Sequence, residues 1–178
     1  MVAKSIIKLI DEAVIPALIL IVTKMLGLYL TSAIFNLPFE IKMRSFLGFL
    51  PALHFANLTS YITAENYSNL AMFLAVCLGT IFVLIQAHFF HSSHIHPNLH
   101  AKLERFNLQA LVTPSYHLYH QAVIWLLFLW ITVGFLTLST IRSITYPQIT
   151  IVAFIIAANF SWVLAIDIER EVEITREV

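Results

Sequence analysis

Four apolar stretches constrain this chain more than any other feature. Each runs for about 18 to 23 residues, long enough to cross a hydrocarbon core of roughly 30 Å at 1.5 Å per residue. They cover 13–35, 70–90, 121–141 and 149–166 of the 178 residues. In lipid a backbone must satisfy its own hydrogen bonds, so segments of this kind fold as helices. Composition agrees: 60% of residues are apolar and 11% charged, with a mean hydropathy of +0.86, whereas roughly a quarter of a soluble domain is charged. The expectation is an all-α integral membrane protein, a four-helix transmembrane bundle. No internal repeat or low-complexity linker divides it, so 1–178 reads as a single domain.

The connections refine this picture. Pro16 is expected in the first turn of the first span, where a missing N–H costs little, and Asn36 with Pro38 closes that span. The run is too long for a signal-peptide core and lacks a small-residue cleavage site, so it reads as retained. Phe46 to Leu53 is apolar but short, contains Gly48 and Pro51, and leads into His54 and Asn57. An interfacial or re-entrant segment after the first span is expected there, with a fifth span over 46–62 as the alternative. Thr63 to Asn69 is polar and rich in capping residues, and reads as the approach to the second span.

Pro97 disfavours helical backbone at His96, so the helix carrying the second span ends at or before it. Leu103, Phe106, Leu108 and Leu111, interleaved with Lys102, Glu104 and Arg105, predict a short amphipathic helix on the membrane surface within 100–112. Thr113 and Pro114 follow as the N-cap and first residue of the next helix. Trp125 and Trp162 fall near the entry and exit of the last two spans, where interfacial aromatics concentrate. The acidic tail 167–178 alternates charged and apolar residues, which suits a strand, a continuation of the last helix or a solvated end.

Charge placement predicts sidedness. With four spans the N-terminus, the histidine loop and the C-terminus share one side, carrying Lys4, Lys8, Lys102, Arg105, Arg170 and Arg176 against Lys42, Arg44 and Arg142. A five-span layout moves the N-terminus across, yet still leaves the histidine loop and C-terminus on the more basic side. The positive-inside rule therefore places both on the cytoplasmic or equivalent inner face.

Most of the histidines lie between His88 and His120, in the order His88, His91, His94, His96, His100, His117 and His120. His88 with His91, and His117 with His120, are three apart at the ends of two consecutive spans, so each pair shares a helix face. Four imidazoles converging there suit a transition metal, and two suit a haem iron. Histidines at this spacing resemble, loosely, the histidine boxes of membrane di-iron hydroxylases and desaturases. The paired and four-apart histidines of those boxes are not reproduced, and no family membership follows. The competing reading is that these are amphipathic interfacial residues, flanked by Tyr116 and Tyr119.

Other chemistries find little support. Cys77 is the single cysteine and lies in an apolar run, which excludes an internal disulfide and any cysteine cluster. Ten basic and ten acidic residues leave no net charge to attract nucleic acid. No Gly-rich phosphate loop or nucleophile motif is present, and Asp11 and Asp167 are the only aspartates. With 4 glycines, repeated small-residue packing is not the organising device.

Inside the spans the polar candidates are Lys24, Thr23, Gln86, Thr132 and Asn159. Lys24 sits near the middle of the first span, where an ammonium must snorkel, pair or face protein. Too few polar groups converge for an autonomous active site. The expected role is a non-catalytic structural or accessory subunit of a larger membrane complex, partnered by the lipid bilayer and by other membrane subunits or copies of itself. The alternatives are a metal- or haem-binding membrane oxidoreductase, or cofactor-bearing subunit, using His88, His91, His117 and His120, and a proton- or ion-handling transport component using Lys24.

Overall fold

A computed structural model describes residues 2–42, 52–89, 97–106 and 115–176. The elements in chain order are α1 (Val2–Ile34), β1 (Phe39–Lys42), β2 (Ala52–Phe55), α2 (Leu58–Phe89), α3 (Pro97–Arg105), α4 (Ser115–Ile141) and α5 (Pro147–Arg176). Four helices, α1, α2, α4 and α5, are long and apolar enough to cross a membrane. The chain is thus an all-α multi-pass bundle.

α2 and α4 form its centre. α1 packs mainly on α2 and α5 mainly on α4, with lighter contacts from α1 to α4 and from α5 to α2. The buried core follows from this arrangement: Phe73, Val76, Cys77, Val83 and Leu84 of α2 meet Ala122, Trp125, Leu129, Val133 and Leu136 of α4, and α5 adds Ala153, Ala157 and Leu164. Outward faces are also apolar, as Val14, Ile15 and Leu18 on α1 and Ile151, Val152 and Phe154 on α5 illustrate. Such faces are at home only against lipid or another apolar surface.

Two single glycines set how closely the helices approach. A Cβ on Gly79 of α2 would lie 1.9 Å from the Trp125 ring, and one on Gly27 of α1 would lie 2.9 Å from the Ser68 backbone. Trp125 is therefore a core residue clamped over α2 and not the interfacial aromatic its position suggested; Trp162 is 69% exposed.

Several local expectations change. α1 begins at Val2, so Pro16 lies inside the helix and not in its first turn. Its ring removes the N–H that the carbonyl four residues back, that of Glu12, would have accepted. Asn36 closes α1 in the left-handed region (φ 51°), with Leu37 N–H bonded to the Ser32 carbonyl at 2.9 Å and Asn36 N–H to that of Ala33 at 3.4 Å. That is a Schellman cap.

After it, β1 and β2 pair antiparallel with Phe39 opposite Phe55 and Glu40 opposite His54. Phe39 also meets Tyr29 of α1, and Phe55 meets Tyr61 of α2. A separate fifth span over 46–62 is not what the described residues show, because 52–55 is strand and α2 begins at Leu58; 43–51 lie outside the described residues, and with them Phe46 to Pro51. α2 starts twelve residues before the expected span, capped by Asn57, whose Oδ1 accepts the Ser60 N–H at 2.9 Å. α3 opens on Pro97, a favoured first helical residue, and buries Leu103 while Phe106 beyond its end is exposed. Leu108, Leu111, Thr113 and Pro114 lie outside the described residues. The tail continues α5 as helix to Arg176.

The α4–α5 turn repeats the Schellman geometry with a residue less suited to it. Ser143 has φ 57°, its N–H bonds the Thr140 carbonyl and Ile144 N–H bonds that of Ser139, both at 2.9 Å. Left-handed backbone costs an L-residue about 1 kcal/mol that glycine avoids. Ser143→Gly is therefore expected to stabilise the bundle by up to about 1 kcal/mol, read as a raised midpoint of thermal unfolding in mild detergent.

Candidate functional site

The ion-paired side chains and their hydrogen-bond partners form two clusters in the bundle. At the end where α2 begins, Glu65, Asn66, Ser68 and Asn69 occupy consecutive turns of helix, and all but Glu65 are fully buried. Residues four apart share a helix face, so Glu65 and Asn69 both meet α1, where the Lys24 ammonium donates to the Glu65 carboxylate and, at 2.6 Å, to Asn69 Oδ1. Asn69 then turns its amide nitrogen the other way, donating to Ser139 Oγ at 3.2 Å and Thr145 Oγ1 at 3.1 Å. Ser68 Oγ donates to the Lys24 carbonyl at 2.6 Å, and Asn66 Oδ1 accepts the Tyr146 N–H at 3.4 Å. One chain of hydrogen bonds thus ties α1, α2, the end of α4 and the turn into α5. Satisfied to this degree, a buried network specifies one packing of the helices.

At the other end two histidines each engage a carboxylate on a helix distant in sequence. His88 Nδ1, at the end of α2, lies 3.1 and 3.2 Å from the two carboxylate oxygens of Asp167 on α5. His120 Nδ1, in the second turn of α4, lies 2.5 Å from Glu12 Oε2 on α1. Asp167 is buried although it opens the acidic tail. About 19 residues separate Asn69 from His88 on α2, and as many separate Ser139 from His120 on α4, roughly 28 Å of helix in each case. The two clusters therefore bracket a span close to the ~30 Å hydrocarbon thickness.

Lys24, near the middle of the first span, packs beside the polar turns of α2, its own carbonyl accepting from Ser68. His88 and His120 pair with Asp167 and Glu12, His117 is exposed at the start of α4, and His91, His94 and His96 lie outside the described residues. Among the described residues no group of three or more His, Cys, Asp or Glu side chains is placed to hold a metal ion.

Reading by segment type overlooked Glu65, Asn66 and Asn69, which resembled a polar approach to the second span. The available signal was continuity, since no helix breaker separates Leu58 from the apolar run. Glu12 and Asp167 gave none, because their partners are 108 and 79 residues away.

No family model, curated protein or solved structure matches the chain. Function must be argued from the arrangement just described.

Proposed function

We propose that this protein is a non-catalytic structural or accessory subunit of a larger membrane complex. The observation that carries the reading is how the reactive side chains are used: Lys24, Glu65 and Asn69 in one cluster, and the His88–Asp167 and His120–Glu12 pairs in the other, join different helices through residues 41 to 108 positions apart in sequence. Groups committed in this way hold a shape. The inner side is assigned to the face bearing the histidines and the C-terminus, on the excess of Lys and Arg there.

A second reading has one specific observation behind it. An imidazole whose Nδ1 is held by a carboxylate is oriented as metal-ligating imidazoles are, and both His88 and His120 carry that feature. This favours a metal- or haem-bearing oxidoreductase subunit over a transport component based on Lys24.

Purification in mild detergent separates the two. A subunit is expected to elute with other membrane proteins in fixed ratio and without stoichiometric metal or a Soret band. A chain that elutes alone, carrying near-stoichiometric metal or haem that is lost when His88 and His120 are both changed to alanine, would overturn the subunit reading and establish the cofactor one.

A further inference from the structure

α5 carries a polar side chain where none of the bundle's ties can use it. Asn159 lies within two residues of the centre of the apolar stretch 149–166, so it sits close to mid-membrane, and it faces outward. Its Nδ2 donates to the Ile155 carbonyl of its own helix at 2.7 Å. Its Oδ1 accepts nothing from any described residue, and neither does any described residue take its second N–H. Lipid offers no partner for either, and an amide left this way in hydrocarbon is unfavourable by several kcal/mol on alkane-type scales. Ser161, two residues on, makes the contrast: its hydroxyl accepts the Trp130 indole N–H at 3.0 Å and donates to the Ala157 carbonyl at 2.8 Å.

The surroundings of Asn159 have the pattern of a helix seam. Val152, Ile155 and Trp162 lie seven and four residues before it and three after, and all are at least half exposed. Spacings of three and four repeat one stripe of a helix. Membrane insertion gives every copy of this chain the same orientation, so a two-fold axis between copies runs along the membrane normal and brings each residue opposite itself at equal depth. A carboxamide is the side chain suited to that situation, because it has both a donor and an acceptor and is complementary to itself.

We infer that the α5 face centred on Asn159 is where two copies of this chain pair in the bilayer, each Asn159 Oδ1 accepting from the Nδ2 of the other. The inference deepens the subunit reading above, on which it rests, by naming one partner in the assembly: a second copy. Val152, Ile155 and Trp162 supply the apolar contact around the paired amides, and hydrogen bonds of this type between membrane helices give modest but measurable association.

The test is the full chain reconstituted in phosphatidylcholine vesicles over a range of protein-to-lipid ratios, with self-association read by energy transfer between labelled copies. Wild type is expected to dimerise, Asn159→Leu to associate about five- to thirtyfold more weakly, and Asn159→Gln to recover part of the loss. In a Cys77→Ala background, Ile155→Cys is expected to cross-link between copies and Val14→Cys on α1 is not. Both reports come from a chain whose Asn159 is intact, so they stand even where the leucine variant misfolds. Monomeric wild type at the highest density, or cross-linking through Val14→Cys in place of Ile155→Cys, overturns the proposal. A native complex with one copy of this chain and another protein on α5 refutes self-pairing while keeping the subunit reading; a chain that pairs through Asn159 yet extracts with no other protein does the reverse.

Discussion

Glu65→Ala is expected to destabilise the bundle by about 3 kcal/mol, the low end of what breaking a buried ion pair from one side costs. The low end applies because the pair is not sealed: the side chains of Lys24 and Glu65 are 24% and 19% exposed. The loss arises from the ammonium left behind, which keeps only Asn69 Oδ1 as an oxygen partner among the described residues, in a largely buried setting where water replaces a carboxylate poorly. Changing both partners together, Lys24→Met with Glu65→Leu, removes the stranded charge and is expected to recover most of the stability, since a buried pair contributes little over apolar residues of similar volume. Reversible unfolding in mixed micelles of the single and double variants gives the comparison. Equal stability for wild type and Glu65→Ala would show that the pair is not a structural tie. A well-folded double variant that loses proton or ion flux across vesicles would promote the transport reading.

Gly79→Ala is expected to cost a similar amount, about 1–3 kcal/mol, through overpacking. The added methyl would sit 1.9, 2.3 and 2.7 Å from three atoms of the Trp125 ring. None of these is a contact a side chain tolerates, and the ring is too wide and too enclosed to swing clear. The penalty should fall on the α2–α4 pairing, because Gly79 and Trp125 hold the two central helices together. Pairing Gly79→Ala with Trp125→Leu is expected to restore part of the loss, while Trp125→Leu alone opens a cavity and is itself destabilising. Thermal unfolding of the three variants forms a double-mutant cycle. Additive effects in that cycle would mean that the two residues do not meet.

Which parts were legible in the sequence follows a single physical division. Number, type and approximate place of the spanning helices were readable because a hydrocarbon layer acts on each segment separately: a run such as 121–141 must be helical whatever its neighbours do. Helix ends were readable where a local cap dictates them, as at Asn36. They were misjudged where apolarity was taken as the measure of a helix. α1 begins at Val2, and α2 reaches back to Leu58 because polar residues such as Glu65 and Asn69 are admitted to a membrane helix when a neighbouring helix supplies their partners. Glu65 and Asn69 looked like loop residues for as long as Lys24 was a lysine with no partner.

The same division explains the site. The histidines between 88 and 120 were visible as a crowd, and spacing alone suggested that they face each other. Packing also brings His88 to Asp167 and His120 to Glu12, each on a helix that no local pattern connects to it. From the sequence by itself came the membrane and the four spanning helices, since burial energies and backbone hydrogen bonding are properties of single segments. Tertiary structure alone decided that Lys24 is paired with Glu65 and Asn69, that Trp125 is core, and that Asn159 is left facing outward. Each of these depends on which helix stands beside which, and a side chain's partner across that gap leaves no trace in its own stretch of chain.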